Sequence, residues 1–397
     1  MKVLVWTKNF ELKNSGGPMG YCYNIKSYLD ECPCESIDFY PSVGTAAESQ
    51  QRQMPGLKRL ISKFLSSCRY TEFFIVLYRY YVKKIELNES DRNLLEKYDF
   101  VHVHLMSEVL QTFQYYKGNA KVVLTTHTPE PMIDELIGRF NVRFFMKFFP
   151  FVRTFCLKKE ALAYQKADYV MFPVPEAKEP YANRSRILAG ALNGLAQKTF
   201  YVPTSINMLH EEPVNSDLLG KYNIPKDAMK VCYVGRHNEI KGYDFLRKMA
   251  KEMWKREDVY FIVGGTQSPL KGLDDKRWIE LGWVKTPELL NCIDVFILPN
   301  KETYFDIILL EVLRQGTPVI ISETGGNKWF ALKNLEGIKC FKYGDVEGCV
   351  SLIQQYSSLK RNGRLREIGD SNKAYFCREL SMPNYIKNYV TALEMLS

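Results

Sequence analysis

The stretch Asn300-Lys301-Glu302-Thr303-Tyr304-Phe305-Asp306-Ile307-Ile308-Leu309-Leu310-Glu311 runs into Gly316-Thr317-Pro318-Val319-Ile320 and then Thr324-Gly325-Gly326. Before it, residues 294–299 read as a buried strand ending in a polar loop. A helix opens directly after that loop, and the Gly-Thr-Pro turn leads into the next strand. Strand, loop, helix and strand in this order predict a parallel α/β sheet. In such sheets ligands sit at the carboxyl ends of the strands, where the first amides of a helix are free to meet phosphate. Glu311, in the second turn, is placed to accept ribose hydroxyls. The stretch therefore predicts a site for a sugar nucleotide.

Outward from it, strand and helix alternate along the whole chain. Strands are expected at 2–6, 99–104, 121–126 and 168–172, and a second set at 230–234, 259–263, 294–298, 318–321 and 338–341. Amphipathic helices fall between them, for example 242–255, 287–293 and 346–357. The run Tyr201-Val202-Pro203-Thr204-Ser205-Ile206-Asn207 and the polar stretch 208–224 read as a linker, and the pattern restarts at Met229. At 397 residues the chain exceeds the size at which one core keeps growing. Two domains are expected, 1–205 and 206–382, with a last helix over 383–397 packing back on the first.

Ten cysteines are too few for a disulfide scaffold and show no zinc-ligand spacing, so reduced thiols in a cytoplasmic protein are expected. Met1 to Trp6 reads as a strand rather than a signal peptide, and no run nears the roughly 18 apolar residues of a membrane span. The net charge of +9 is unevenly held: residues 51–84 carry +7 and residues 139–159 carry +6. Two confined patches argue against a nucleic-acid partner.

Val234-Gly235-Arg236-His237-Asn238-Glu239-Ile240-Lys241-Gly242 opens the second domain. Its strand ends in a glycine, Arg236 follows directly, and Lys241 stands at the start of a helix. Two cations beside a helix N-terminus suit a diphosphate, whose charge grows as it leaves a sugar. The first domain offers Asn14-Ser15-Gly16-Gly17-Pro18-Met19-Gly20 after its first strand, where Gly16 and Gly17 let backbone approach a ligand. It also offers Thr125-Thr126-His127-Thr128-Pro129 at a strand end, while His102 and His104 alternate on the strand before. Asp274-Asp275 sits in a charged helix start, and no Asp-x-Asp metal motif lies near the donor loop.

Taken together, these motifs resemble the retaining GT-B glycosyltransferases, in particular glycosyltransferase family 4. The resemblance is strong over roughly 230–350 and weak in the N-terminal half. It implies two Rossmann-like parallel-sheet domains facing a central cleft. It gives Arg236 and Lys241 the donor diphosphate, Glu311 the ribose, the amides of Ile307 and Ile308 the distal phosphate, and the main chain of Val284, in Leu281-Gly282-Trp283-Val284, the base. Gly16 and Gly17 would face the donor phosphates and His127 the transferred sugar. One departure stands out: aligned on Glu311, Thr303 falls where the family has its first glutamate. Glu302 or Asp306 would then serve as the acid, unless Asp306 merely caps its helix.

The implied reaction moves a sugar from a UDP- or GDP-sugar to a glycan or lipid-linked acceptor, in bacterial cell-surface polysaccharide synthesis, with no cofactor and no obligatory metal. The alternatives are a glycosyltransferase-like subunit with altered chemistry and a nucleotide-sugar 2-epimerase on the same fold.

The two basic segments are also aromatic. Arg139, Arg143 and Lys147 recur every four residues beside Phe140, Phe144 and Phe148, predicting one helix that Pro150 ends. Residues 57–84 repeat the pattern with Leu57, Leu60, Ile61, Phe64 and Leu65 against Lys58, Arg59 and Lys63. Such segments either pack their apolar face on the sheet or lie on an anionic membrane surface. The second reading makes the protein peripheral on the inner face of the cell membrane.

Overall fold

The computed structural model describes residues 1–13, 17–41, 68–207 and 218–397. Gly16, residues 57–67 and residues 208–217 of the predicted linker lie outside the described residues. The chain divides into two compact units. One comprises Met1–Phe172, Lys178–Val202 and Tyr389–Ser397, and the other Pro173–Ala177 and Pro203–Asn388.

In the first unit β1 (Val3–Trp6) is buried at all four positions. A strand covered on both faces reads as a continuous apolar run rather than an alternating one. It pairs in parallel with β2 (Ile37–Phe39) on one side and with β3 (Phe100–Val103) on the other. Beyond β3 come β4 (Lys121–Leu124), β5 (Tyr169–Phe172) and β6 (Thr199–Tyr201), giving the order β2-β1-β3-β4-β5-β6. The strand order reverses between β1 and β3.

The second unit repeats the plan. β7 (Met229–Val234) pairs with β8 (Val259–Gly264), which pairs with β9 (Trp278–Gly282). On its other side lie β10 (Val295–Leu298), β11 (Val319–Ser322) and β12 (Ile338–Phe341). The order is β12-β11-β10-β7-β8-β9, and the reversal falls between β7 and β10. Val231, Leu246, Met249, Phe261 and Ile297 are sealed in its core, each worth about 1.5–3 kcal/mol of burial.

The strands expected from sequence are present, and three more join them. β2, β6 and β9 are all edge strands, which need less apolar surface than central ones. β2 and β6 have three residues each. β9 hides an acid, because Glu280 accepts hydrogen bonds from Tyr243 Oη (2.6 Å) and Trp278 Nε1 (2.7 Å).

The basic aromatic segment departs further from expectation. Helix Met132–Arg139 stops, Asn141 takes φ +51°, and Arg143–Met146 is a single turn. Pro150 does not end a helix; it is the first residue of Pro150–Lys166. A proline there forgoes an amide that would have no helical partner anyway, and its fixed φ suits the first turn. Arg139, Arg143 and Lys147 therefore share no helix.

Candidate active site

The site of the second unit lies at the reversal between β7 and β10, where the loops after both strands leave the sheet edge side by side. Lys301 N and Glu302 N donate to Ile240 O (2.9 and 3.3 Å), stitching the two loops together. Gly242 makes this approach possible. It stands at φ +68°, and a Cβ there would lie 1.6 Å from Pro299 O, so no other residue fits without moving backbone. Asn238 Oδ1 accepts from Lys241 N (2.9 Å) and holds the turn.

Lys241 Nζ donates to Asp306 Oδ1 at 2.5 Å. The second oxygen of Asp306 accepts from Thr303 Oγ1 (2.8 Å) and from Asn300 Nδ2. Asp306 occupies the N-cap position of helix Ile307–Gln315, but its side chain makes no cap bond. The helix-cap role is thus corrected: the carboxylate turns back across the loop to the β7 side. It reaches the hydroxyl of Thr303. Glu302 lies in the same loop, half-buried.

The amides of Ile307 and Ile308 precede the bond that Leu309 N donates to Asp306 O (3.0 Å). First-turn amides have no partner inside their own helix. Arg236 is exposed and forms no ion pair among the described residues.

Glu311, one turn farther along that helix, is half-buried beside the helix Thr286–Leu290. Burial raises its carboxyl above the usual range, while a hydrogen bond from the Thr286 side chain and the charge of Arg314 pull it back. Its Oε2 is buried without a hydrogen-bond partner among the described residues. Val284 lies two residues before Thr286 and lines Gly264 at the end of β8, where a Cβ would come within 3.0 Å of it. Val284 and Glu311 thus share one end of the sheet, joined through Thr286.

In the first unit the loops after β1, β3 and β4 converge in the same way. Gly17 opens helix Gly17–Glu31 at φ +74°. Tyr21, one turn on, packs its ring 5.3 Å from that of His104 and 4.8 Å from that of His127. His104 Nδ1 and His127 Nε2 lie 3.1 Å apart. Burial pushes His127 down to about 3 and His104 well below its ordinary value, where His102 and His127 add to the effect. Both are neutral at physiological pH. His102 is packed away, 2.7 Å from Tyr389 Oη and 2.8 Å from Thr125 Oγ1.

Several residues at these strand ends had no role in the sequence reading. Glu108, raised to about 8 by burial, accepts from Asn9 Nδ2 (2.9 Å) near His104. His237 is fully buried and stacks on Tyr243 at 4.0 Å. Asn300 supplies one of the bonds to Asp306, and Thr286 holds Glu311. The partners of Glu108 and Thr286 lie far along the chain, so no local pattern marks those two.

Two doubly wound parallel units in one chain make this a GT-B fold. Residues 228–358 match the family model described as Glycosyl transferases group 1. The lipopolysaccharide core biosynthesis glycosyltransferase LpsE of Rhizobium meliloti is 28% identical over 183 residues, 42% of this chain and 51% of LpsE. The chain spans about half or less of the length of the curated relatives it matches. Sucrose-phosphate synthase of Thermosynechococcus elongatus matches with a TM-score of 0.60 at 15% identity, over 100% of this chain and 99% of that one. HepE of Anabaena, in complex with UDP and glucose, gives 0.56 at 12% identity over 99% of each chain.

Proposed function

We propose that the chain is a retaining glycosyltransferase that moves a sugar from a UDP- or GDP-sugar to a glycan or lipid-linked acceptor. The observation that carries this reading is the join of Lys241, Asp306 and Thr303 beside the open helix N-terminus at Ile307. Fixed positive charge and free amides there suit a diphosphate, and the carboxylate suits the neighbouring sugar. Glu311, with one carboxylate oxygen unmatched, suits the ribose. The match to the glycosyl transferases group 1 model supports the class, and the name of LpsE supports a surface glycan as acceptor.

In the transfer, the bond from the anomeric carbon to the diphosphate oxygen breaks and the bond to the acceptor oxygen forms on the same face. The acceptor hydroxyl proton passes to the departing diphosphate. Arg236, Lys241 and the Ile307 and Ile308 amides stabilise the charge that grows on the leaving group, so positioning and electrostatics supply the rate without a metal. His127, being neutral, serves the transferred sugar as a hydrogen-bonding group and not as an acid. Gly17, and Gly16 before it, would serve the donor phosphates through backbone.

The pairing of His104 and His127 near buried Glu108 favours a second reading, a nucleotide-sugar 2-epimerase. One experiment separates the two. The protein is incubated with UDP- and GDP-sugars, with chelator present, with and without oligosaccharide or lipid-linked acceptors. Acceptor-dependent release of diphosphate and a product that keeps the donor's anomeric configuration are expected. Conversion of a donor to its 2-epimer without acceptor, or inversion at the anomeric carbon, would replace this reading.

A further inference from the structure

The two basic aromatic segments, which the sequence leaves apart, meet in the first unit. Phe145 packs against Tyr70 (5.0 Å) and Phe74 (6.0 Å) of helix Arg69–Tyr81. It also touches Phe149 (4.6 Å), which touches Phe151 (6.1 Å) at the start of helix Pro150–Lys166. Of these rings Tyr70, Phe145 and Phe149 are half-buried and form the floor of one continuous surface.

On it stand rings that face solvent. Phe144 is 72% exposed, and Phe148 and Phe151 are each 66% exposed. Phe151, Phe155 and Lys158 recur at i, i+4 and i+7, and Phe74 and Tyr78 at i and i+4, so each helix turns one stripe outward. Isolated exposed apolar residues are ordinary, but contiguous rings of this size mark an interaction surface.

The charges around the rings identify the partner. Arg79, Arg139, Arg143, Lys147 and Lys158 are exposed and form no ion pair among the described residues. Residues 139–159 contain no acid. On the neighbouring helix the acid is Glu72, and beyond it Glu86 pairs with Lys84 at 3.1 Å. A protein partner would be met by both signs of charge and by hydrogen-bonding groups. Bulky rings within a predominantly cationic rim complement anionic headgroups over acyl chains. No helix among the described residues is long and apolar enough to cross a membrane, so the surface would lie on the bilayer rather than span it.

We propose that this face, built by Arg69–Tyr81 and residues 143–155, docks the first unit on an anionic phospholipid bilayer. The proposal goes beyond sugar transfer and stands or falls without it, because its test contains no donor.

The test is co-sedimentation with vesicles of phosphatidylcholine alone or mixed with phosphatidylglycerol, at low and high salt. The wild-type protein should bind the anionic vesicles, bind less as salt rises, and ignore the neutral ones. A Phe144→Ser/Phe148→Ser/Phe151→Ser variant and an Arg143→Glu/Lys147→Glu variant should each bind at least about tenfold more weakly. All these side chains are exposed, so melting temperatures should match the wild type. Equal binding by variants and wild type would overturn the proposal, as would failure of the wild type to bind anionic vesicles. Self-association that both variants lose, without vesicle binding, would assign the face to a second copy of the chain.

Discussion

Asp306 accepts from Lys241, Asn300 and Thr303 at once, and three donors on one carboxylate fix its position before any ligand arrives. Charge-assisted bonds of this kind preorganise a site, which is where electrostatic catalysis gains most. Lys241 and Asp306 should then act as one unit. Asp306→Asn and Lys241→Ala are each expected to cut turnover by about 100-fold, and the double variant by little more, because residues in one network are not additive. Steady-state kinetics of the three variants checks this; multiplying losses would mean that the two residues work separately. The sequence shows both residues as loop charges after strands. It does not show their pairing, since they are 65 positions apart and each alone reads as a solvated loop residue or a helix cap. Thr286 was missed for the same reason: its value lies in a partner from another loop, Glu311.

At the scale of elements, what was legible followed from chemistry confined to one segment. Central strands such as β8, buried at all six positions, announce themselves as apolar runs. Edge strands are weaker signals, so β2, β6 and β9 escaped, although the edge strand β12 did not. Pro150 misled because a proline that ends one helix and one that begins another look alike without the neighbouring turn. Gly242 is the junction between the β7 loop and its helix, and it was legible as a Lys-Gly pair. Its closeness to Pro299 O was not, being a contact between strand ends. Gly242→Ala should force the loops after β7 and β10 apart, costing more than about 2 kcal/mol from strain at positive φ plus the backbone clash. Thermal and urea melts would read this, and a melt equal to wild type would show that the loops have room to separate.

Across the whole molecule, the basic charge gathers in the first unit, whereas the match to the glycosyl transferases group 1 model falls in the second. The two-sheet architecture was legible because alternation and a restart at Met229 survive in any parallel α/β chain. The central claim is that the β7–β10 reversal is a nucleoside-diphosphate site. Calorimetric titration of the intact protein with UDP and GDP, and with uridine and guanosine, tests it most directly. One diphosphate should bind at least about 100-fold more tightly than its nucleoside, and Arg236→Ala or Lys241→Ala should erase most of that difference. Diphosphate affinity unchanged in both variants, or no preference for the diphosphate over the nucleoside, would contradict the account.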